Sequence, residues 1–434
     1  MAGMHYDIVI VGGGAGGLEL AARLGRKLGP KAGKERVLLI DRSSFHIWKP
    51  TLHEVAAGTL DTHQEGLSYS ILGRANHFSF LLGELDSFDP VAKRLNLKPI
   101  LAEGGKVLVP ERGVTFSWGV LAIGSGSNLF GTPGADQAHL LERTEDAEAF
   151  HTRLLAAFMK ASFSTEKTMS VAIVGGGATG VELSAELIEA HRELLGSLGS
   201  EQRFRLDIAI VEAAPRILGG LPEKISDQAT VALERKGVRV HTGAKVVAVH
   251  PDRLETSQGD IPADLIVWAA GVKAAPANAG YGLEINRTNQ FVVNERLETS
   301  APDVWALGDC AAAPWVGTEG KEGRIIPARA QAAHQQASYL AKALIARLGQ
   351  RRVEAPFVYR DFGSLLSLGE NKGVGALMGG LGGPNFFVEG LIAKWAYISL
   401  HLDHHRAIMG TPKTIVLALA RLLQQRVAGR LKLH

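Results

Sequence analysis

Two copies of a glycine-rich motif constrain this chain more than any other feature of its sequence. In the first copy an apolar run, residues 7–11, leads directly into Gly12, Gly14 and Gly17 at GxGxxG spacing, and a helical pattern follows. A short β-branched run of this kind is typical of a strand buried in a parallel sheet. The first glycine permits a tight turn, the second lets backbone amides approach a pyrophosphate, and the third lets helix and strand pack closely.

The acid that completes the motif follows the next strand pattern. That pattern covers residues 37–40 and ends in Asp41, whose carboxylate would accept hydrogen bonds from ribose hydroxyls. A GxGxxG sequence alone is a weak indicator, whereas strand, glycines, helix, strand and acid in this order strongly indicate a dinucleotide site. We therefore predict that the first unit binds a dinucleotide.

A second copy of the same arrangement begins at residue 171. The apolar run 171–174 leads into Gly175, Gly177 and Gly180 at the same spacing, and a later strand pattern, 206–211, ends in Glu212. A structural duplicate that binds nothing is the alternative, but both the glycines and the terminal acid are present. The sequence therefore predicts two dinucleotide sites, which need not hold the same ligand.

Two further apolar runs end at a glycine, at Gly124 and at Gly271, as expected where a chain crosses between two sheets. A later run ends at Gly308 and Asp309, and an acid at the carboxyl end of a strand faces the ligand crevice of such a sheet. A helix cap is the alternative for this acid. The predicted fold class is α/β, with two Rossmann-like dinucleotide-binding domains, the second inserted in the first. The predicted first domain comprises residues 1–118 and 274–345, the inserted domain 119–273, and a C-terminal region 346–434.

The cysteine content excludes several kinds of site. The chain has one cysteine, Cys310, which rules out a disulfide scaffold, a four-cysteine zinc site and an internal dithiol redox pair. His401, His404 and His405 suggest a metal site, but no carboxylate or cysteine spacing supports one. No metal is predicted.

The C-terminal end is basic and amphipathic. Residues 395–434 contain six basic side chains and one acid, a net charge of +5, against +3 for the whole chain. A concentrated basic segment favours an anionic surface such as a membrane. From residue 414 a helical pattern separates an apolar face from a polar one. The apolar face comprises Ile415, Val416, Leu419, Leu422, Leu423 and Val427, the polar face Thr414, Arg421, Gln425 and Lys432, while Arg426 and Arg430 fall on the apolar side.

This C-terminal segment is too short and too charged to span a bilayer, so we predict that it lies in the headgroup plane as an anchor. Packing in a dimer or in the core is the alternative. Nucleic-acid binding is not predicted, because the basic residues are not interleaved with aromatic ones. The N-terminus lacks a signal-peptide pattern, and the longest uncharged stretch, residues 113–135, contains six glycines and a proline. No transmembrane helix is predicted.

The chain as a whole resembles the two-dinucleotide flavoprotein disulfide reductase superfamily, and within it the type II NADH dehydrogenases, which are single-subunit NADH:quinone oxidoreductases. The resemblance rests on the two glycine motifs, on the strand ends LAIGS, VWAAG and ALGDC, on the basic tail, and on three more specific segments. These are FHIWKPTLHEVAAG at 45–58, GGGATGVELSAEL at 175–187 and PARAQAAHQQA at 327–337. Together they cover nearly the whole chain.

The resemblance implies FAD in the first site, NADH in the second and a membrane quinone near the other face of the flavin. Dithiol reductases of the superfamily carry a CxxxxC pair beside the flavin, where this chain has HIWKPTLHE, so electrons would pass directly from the flavin to an outside acceptor. The implied function is a respiratory NADH:quinone oxidoreductase that does not pump protons. It would be a peripheral protein at the cytoplasmic face of the inner membrane, with a homodimer as an option.

Three side chains are expected to act near the flavin and the quinone. Glu182 lies close to both in the resembling family and would relay a proton or steer charge; a helix-terminal acid is the alternative. Gln331 and Gln335, one helical turn apart, would donate to a quinone carbonyl or the flavin edge, unless they are merely polar helix surface. The implied FAD-binding residues are Gly12, Gly13, Gly14, Ala15, Gly16, Gly17, Asp41, Arg42, Lys49, Gly124, Gly308, Asp309 and Gln331. The implied NADH-binding residues are Gly175, Gly177, Gly180, Glu182, Glu212 and Gly271.

The choice between NADH and NADPH depends on Glu212. A carboxylate at this strand end accepts ribose hydroxyls and repels a 2′-phosphate, which favours NADH. Arg216 weakens the argument, because a nearby guanidinium could receive the phosphate. Two other functions stay open: a soluble NAD(P)H-dependent reductase of a ferredoxin-like protein, and a redox-responsive binding protein.

Overall fold

A computed structural model describes residues 4–102, 104–317, 323–369, 373–377, 386–389 and 391–427 of the 434-residue chain. Two sheets with parallel strands at their centres, each packed against helices, position the functional residues. The helices are α1 (Ala15–Leu28), α2 (Ala32–Arg36), α3 (Leu52–Ala57), α4 (Thr62–Glu65), α5 (Tyr69–Asn76), α6 (Thr144–Phe163), α7 (Ala178–Ser197), α8 (Glu223–Arg235), α9 (Ala330–Leu348), α10 (Leu391–Met409) and α11 (Thr411–Val427).

The first sheet is built on the strand Met4–Val11, which pairs in parallel with Val37–Asp41 on one side and with Arg112–Leu121 on the other. Residues 8–11 are all buried, so successive side chains are apolar on both faces of the sheet, and each contributes roughly 1.5–3 kcal/mol on burial. The order is Ser79–Leu82, Val37–Asp41, Met4–Val11, Arg112–Leu121, Arg94–Leu97 and Leu85–Asp89, with Val304–Ala306 also paired to Arg112–Leu121.

The second sheet repeats this arrangement around the strand Thr168–Val174. Its five strands are parallel, in the order His139–Leu140, Leu265–Trp268, Thr168–Val174, Arg205–Glu212 and Val238–Thr242. A separate antiparallel sheet comprises Val246–Val249, Arg253–Thr256 and Gly259–Pro262. The predicted strands of both glycine units lie within observed strands, so the α/β class and the paired strand, loop and helix units are confirmed.

The two connections between the sheets run side by side. Gly126–Ser127, on the way out of the first sheet, pairs antiparallel with Val272–Lys273, on the way back. The chain therefore passes between the two sheets after Gly124 and returns after Gly271. The predicted boundary at residue 119 falls inside the strand Arg112–Leu121, because residues 119–121 pair with Met4–Val11 on one side and with Val304–Ala306 on the other. That strand belongs to the first sheet as far as Leu121.

The C-terminal region adds a three-stranded antiparallel sheet, followed by α10 and α11. Its strands are Gly363–Ser367, Gly373–Leu377 and Phe386–Glu389. The guanidinium of Arg26 on α1 donates to the carbonyls of Ala407 and Ile408 at 2.7 and 2.9 Å, which ties the end of α10 to the first domain. Three short pairs complete the strands: Phe45–His46 with Leu67–Ser68, Ile100–Leu101 with Val107–Val109, and Phe291–Val292 with Ala311–Ala312.

The helix α11 turns its polar face toward the protein. Thr414 is buried, and Arg421 forms an ion pair with Glu65. Four apolar side chains are between 54% and 68% exposed: Ile415, Val416, Leu419 and Leu423. The predicted division of the two faces is confirmed for these residues. The side chains of Leu422, Gln425, Arg426 and Val427, and all of Arg430 and Lys432, lie outside the described residues. None of the helices in the described residues has the length and apolarity that a bilayer span requires.

Candidate active site

A cavity of about 1360 Å³ lies at the carboxyl ends of the parallel strands of both sheets. Most small-molecule sites occupy roughly 300–1,000 Å³, so this space has room for more than one ligand. The predicted site residues that line it are Gly14, Ala15, Gly16, Lys49, Gly124, Gly177, Glu182, Gly271, Gly308, Asp309, Gln331 and Gln335. The others shape the loops behind this wall, namely Gly12, Gly13, Gly17, Asp41, Gly175, Gly180 and Glu212, while Arg42 is exposed outside it.

The first glycine loop has the shape that a dinucleotide pyrophosphate requires. Gly12 adopts a φ of +103°, which L side chains rarely take, so the tight turn depends on glycine. A Cβ on Gly17 would lie 1.9 Å from the Gly12 carbonyl oxygen, whereas a Cβ on Gly14 would meet nothing within 4 Å. No side chain among the described residues caps α1 at Gly14, which leaves the first amides of the helix for an anion. The loop fits the phosphates of a bound dinucleotide.

The second glycine loop reproduces this geometry. Gly175 has a φ of +108°, and a Cβ on Gly180 would lie 2.1 Å from the Gly175 carbonyl oxygen. Gly177, like Gly14, faces open space, and α7 begins there without a side-chain cap among the described residues. This second copy therefore fits a pyrophosphate equally well.

The acids that end the second strand of each unit, Asp41 and Glu212, accept hydrogen bonds from the glycine loops. The Asp41 carboxylate accepts from the backbone amides of Gly13 at 2.6 Å and Ser43 at 2.8 Å, and burial raises its pKa. The Glu212 carboxylate accepts in the same way from Gly176 and Ala214, each at 2.7 Å. Each carboxylate has about four acceptor positions. Two remain in each case, so ribose hydroxyls can still be bound there.

Polar contacts fix the part of the cavity wall that contains Lys49, Gly308 and Asp309. Lys49 Nζ donates to the Ser125 carbonyl at 2.8 Å, and Ser125 Oγ donates to the Asp309 carboxylate at 3.1 Å. The Gly308 amide donates to the Gln336 side chain at 2.7 Å. These contacts bring the predicted residues Lys49, Gly308 and Asp309 to one side of the cavity. Gln336, which the sequence analysis did not single out, fixes that turn from α9.

Glu182 lies on α7 with its side chain buried at the cavity wall. Its Oε1 accepts from the Ser367 amide at 3.1 Å, and its Oε2 lies 3.8 Å from His53 Nδ1. Burial raises the pKa of Glu182 to about 8, and the nearby acids Glu54 and Glu186 act in the same direction. The carboxyl group is therefore mostly protonated at neutral pH and can give a proton to a ligand in the cavity.

His53 accompanies Glu182, although the sequence analysis assigned it no chemical step. It lines the cavity at 2% exposure, and burial lowers its pKa to about 4, so it is neutral at physiological pH. Its Nε2 has no hydrogen-bond partner among the described residues. The atom that faces Glu182 is Nδ1, at 3.8 Å, so the neutral ring packs beside the carboxyl group without a hydrogen bond to it.

Gln331 and Gln335 lie on one face of α9, as their spacing predicts, but both carboxamides bind the backbone of the segment 360–363. Gln335 donates to the Arg360 carbonyl at 2.8 Å and accepts from the Arg360 amide at 3.0 Å. Gln331 donates to the Gly363 carbonyl at 2.9 Å and accepts from the Phe362 amide at 3.1 Å. They thus position the strand that leads to Glu182, and a direct contact with flavin or quinone stays a prediction.

Five histidines gather beneath the first glycine loop. Three lie on α10, one on α9 and one on the short strand Phe45–His46; they are His401, His404, His405, His334 and His46. Burial lowers the pKa of His46 and His401 to about 3. In the described part of the chain, no three His, Cys, Asp or Glu side chains converge as ligands of a metal ion. In the sequence, the spacing HLDHH marked His401, His404 and His405 alone, and it did not link them to His46 or His334.

Comparisons with known proteins agree on one group. The profile of the pyridine nucleotide-disulphide oxidoreductase family matches residues 6–337. A type II NADH:quinone oxidoreductase of Haemophilus influenzae is 39% identical over 449 aligned positions, covering 99% of this chain and 100% of that protein. One from Mycobacterium tuberculosis is 28% identical, covering 92% and 84%. The structure of NDH2 from Plasmodium falciparum in complex with NADH shares the fold, with a TM-score of 0.80 at 18% identity over 98% of this chain and 99% of that one.

Proposed function

Because the chain belongs to the pyridine nucleotide-disulphide oxidoreductase family and, within it, to the type II NADH:quinone oxidoreductases, we propose that it transfers two electrons from NADH, by way of FAD, to a membrane quinone. The observation that carries the proposal is the cavity, which reaches both glycine loops and continues to α9 and α10. Donor and acceptor can therefore meet within one continuous cavity. Bound FAD supplies the electron chemistry, since a flavin takes up a hydride and returns its electrons.

The two glycine loops divide the cofactors between them. The amide of Gly14 and the start of α1 would hold the FAD pyrophosphate, and Gly177 with the start of α7 would hold that of NADH. Lys49 and Asp309 form the wall along which the rest of FAD would extend. The chain's task is to keep the two ring systems in contact and to exclude water between them.

The electrons have no thiol to receive them inside the described part of the protein. Cys310 is fully buried, its Sγ donates to the Leu307 carbonyl at 3.2 Å, and burial raises the pKa of the thiol to about 12. Since the thiolate is the reactive form, this residue does not act as a relay. Three apolar side chains line the cavity and are also 45–53% exposed, which marks a mouth suited to a lipophilic acceptor: Val358, Phe362 and Leu400.

Reduction of a quinone to a quinol consumes two protons. Glu182 holds one at neutral pH, because its pKa is about 8, and its carboxyl group faces the cavity. We assign Glu182 the role of donor of one of these protons to the quinone, and the second proton, like the one that re-protonates Glu182, would come from water at the cavity.

The exposed apolar face of α11 is the proposed membrane-binding surface. The ion pair between Arg421 and Glu65 holds the polar face of α11 against the protein, so the apolar face points outward. Apolar side chains on an interfacial helix bury in the boundary between headgroups and acyl chains, and basic side chains favour anionic lipid. We place the protein on the cytoplasmic face of the inner membrane, where NADH is supplied. A homodimer would pair two such helices and strengthen a weak attachment.

The second site is proposed to prefer NADH. Glu212 ends the strand Arg205–Glu212, where its carboxylate would accept ribose hydroxyls and repel a 2′-phosphate. Arg216 donates to the carbonyls of Leu218 at 3.4 Å and Gly219 at 3.0 Å, so its guanidinium is engaged by the neighbouring loop. It is therefore less available to receive the phosphate.

An anaerobic titration tests the proposal. The purified protein should contain FAD, its absorbance near 450 nm should bleach with one equivalent of NADH, and a short-chain quinone should restore the absorbance in the same cuvette. Re-oxidation by a ferredoxin-like protein, with every ubiquinone and menaquinone inactive, would favour the soluble reductase instead. A protein that binds no FAD on reconstitution would contradict the assignment altogether.

A further inference from the structure

The carbonyl of Gly13, in the first glycine loop, accepts two hydrogen bonds from buried side chains. The Tyr69 hydroxyl donates to it at 2.8 Å, and His46 Nδ1 lies 3.0 Å from it. A Cβ on Gly13 would lie 2.6 Å from the Tyr69 ring, so glycine is needed here to admit the tyrosine. Two donors on one oxygen hold this peptide in a single orientation.

The Gly13 carbonyl determines which ring nitrogens of His46 and His404 carry a hydrogen. A carbonyl oxygen can only accept, so His46 Nδ1 carries a hydrogen. Burial lowers the pKa of His46 to about 3, so the ring is neutral and its Nε2 is an acceptor. His404 Nε2, 2.8 Å away, must therefore donate to it. The hydrogen bonds run in one direction, from His404 on α10 through His46 to the Gly13 carbonyl.

The Gly13 carbonyl matters because it belongs to the peptide that presents the Gly14 amide. In a trans peptide the C=O and the N–H point in opposite directions. Donors on one side of the carbonyl therefore orient the Gly14 N–H toward the opposite side, and α1 begins at Gly14 without a side-chain cap among the described residues. Hydrogen bonding to the carbonyl also polarises the amide and strengthens what it donates.

The helix that carries His404 is held firmly against this loop. Trp48 stacks on His401 and on His404, with ring centroids 4.9 and 5.7 Å apart. Arg26 binds the last carbonyls of α10, and Asp403, one residue before His404, lines the cavity. The C-terminal region is thus part of the wall of the first dinucleotide site.

We propose that His404 is a positioning residue for FAD, which acts through His46 to orient the Gly13–Gly14 peptide toward the pyrophosphate. The inference rests on the proposed function, since it takes FAD as the ligand of the first glycine loop. FAD retention then depends on the docking of α10, the helix that precedes the membrane-binding α11.

Matched amide variants at position 404 test this. The side-chain amide of His404→Gln reaches the position of Nε2 and can donate to His46, whereas that of His404→Asn ends near Nδ1 and cannot. After removal of the flavin, FAD is titrated into each full-length protein by fluorescence quenching. We expect His404→Gln to bind within about twofold of the native protein and His404→Asn about tenfold more weakly, the loss of one hydrogen bond. The control His405→Asn removes a buried histidine whose hydrogen bond, among the described residues, is to the His401 carbonyl of its own helix.

A double-mutant cycle separates positioning from general destabilisation. In the His46→Leu background His404→Asn should cost nothing further, because its effect passes through His46, while in the Tyr69→Phe background it should keep its tenfold effect. Equal FAD affinity for the Gln and Asn variants, or a loss at His405→Asn as large as at His404→Asn, would overturn the inference. Native protein that takes up no FAD would instead refute the proposed function.

Discussion

Replacing Glu182 by Gln should slow the enzyme and at the same time stabilise it. The side chain keeps its shape, and its oxygen can still accept from the Ser367 amide, which lies 3.1 Å from Oε1 in the native protein. The variant loses the proton that the carboxyl group holds at neutral pH. It also loses the pH-dependent destabilisation that a buried acid causes, because glutamine does not ionise in either the folded or the unfolded state.

The size of the gain follows from the pKa. Burial raises the pKa of Glu182 from 4.5 to about 8, so between these pH values the folded state holds a proton that the unfolded chain releases. Stability of the native protein therefore falls as pH rises through this window. A tenfold change in an ionisation constant corresponds to about 1.4 kcal/mol. The advantage of Glu182→Gln should grow from about 1 kcal/mol at pH 5 to about 4 kcal/mol at pH 8.

Two measurements check the two effects. Urea unfolding at pH 5, 7 and 8 gives the free energies, and stopped-flow re-oxidation of the NADH-reduced protein by a short-chain quinone gives the rate. We expect that rate to fall about 100-fold, as for loss of a general acid, with FAD content unchanged. Glu186→Gln, one turn along α7, is the control: Glu186 raises the Glu182 pKa as a lesser cause than burial, so this variant should change the stability and the re-oxidation rate far less than Glu182→Gln does. A stability gain that does not depend on pH, or an unchanged re-oxidation rate, would refute the reasoning.

Three further outcomes are expected. Gly14→Ala should leave the melting temperature of the flavin-free protein unchanged, since its Cβ meets nothing within 4 Å, but it should weaken FAD binding at least tenfold. Gly17→Ala should instead lower the melting temperature, because its Cβ would lie 1.9 Å from a carbonyl oxygen. Glu212→Ala should raise kcat/KM for NADPH relative to NADH by about tenfold, and an unchanged ratio would remove this residue from coenzyme selection. The pair Val416→Asp and Leu419→Asp should abolish co-sedimentation with anionic liposomes without loss of NADH oxidation by a water-soluble quinone; full retention on liposomes would place the anchor elsewhere.

The parts of the fold that could be predicted are those whose pattern lies within one continuous stretch of sequence. Strand, glycines, helix and terminal acid lie within residues 7–41 in the first unit and 171–212 in the second, and Gly12 and Gly175 both adopt the positive φ that the turn requires. The division of faces on α11 also follows from a local period. In each case one stretch of sequence contains the whole pattern.

The contacts that could not be predicted join distant residues. His46 and His404 are 358 positions apart, and the spacing of the α10 histidines suggested only a metal site that lacked further ligands. The amides of Gln331 and Gln335 were expected at a ligand, and they bind the backbone of residues 360–363. Periodicity shows which face of a helix is polar, but it does not show which neighbour that face meets.

The antiparallel pair Gly126–Ser127 and Val272–Lys273 also bears on how such a protein arose. A unit whose first and last strands are neighbours can be spliced into one loop of a host protein, because the gap that it opens is a single strand spacing, about 4.8 Å. Gene duplication followed by insertion at this point would leave the ladder of the older sheet intact. One copy could then change its coenzyme specificity while the other kept the ancestral coenzyme.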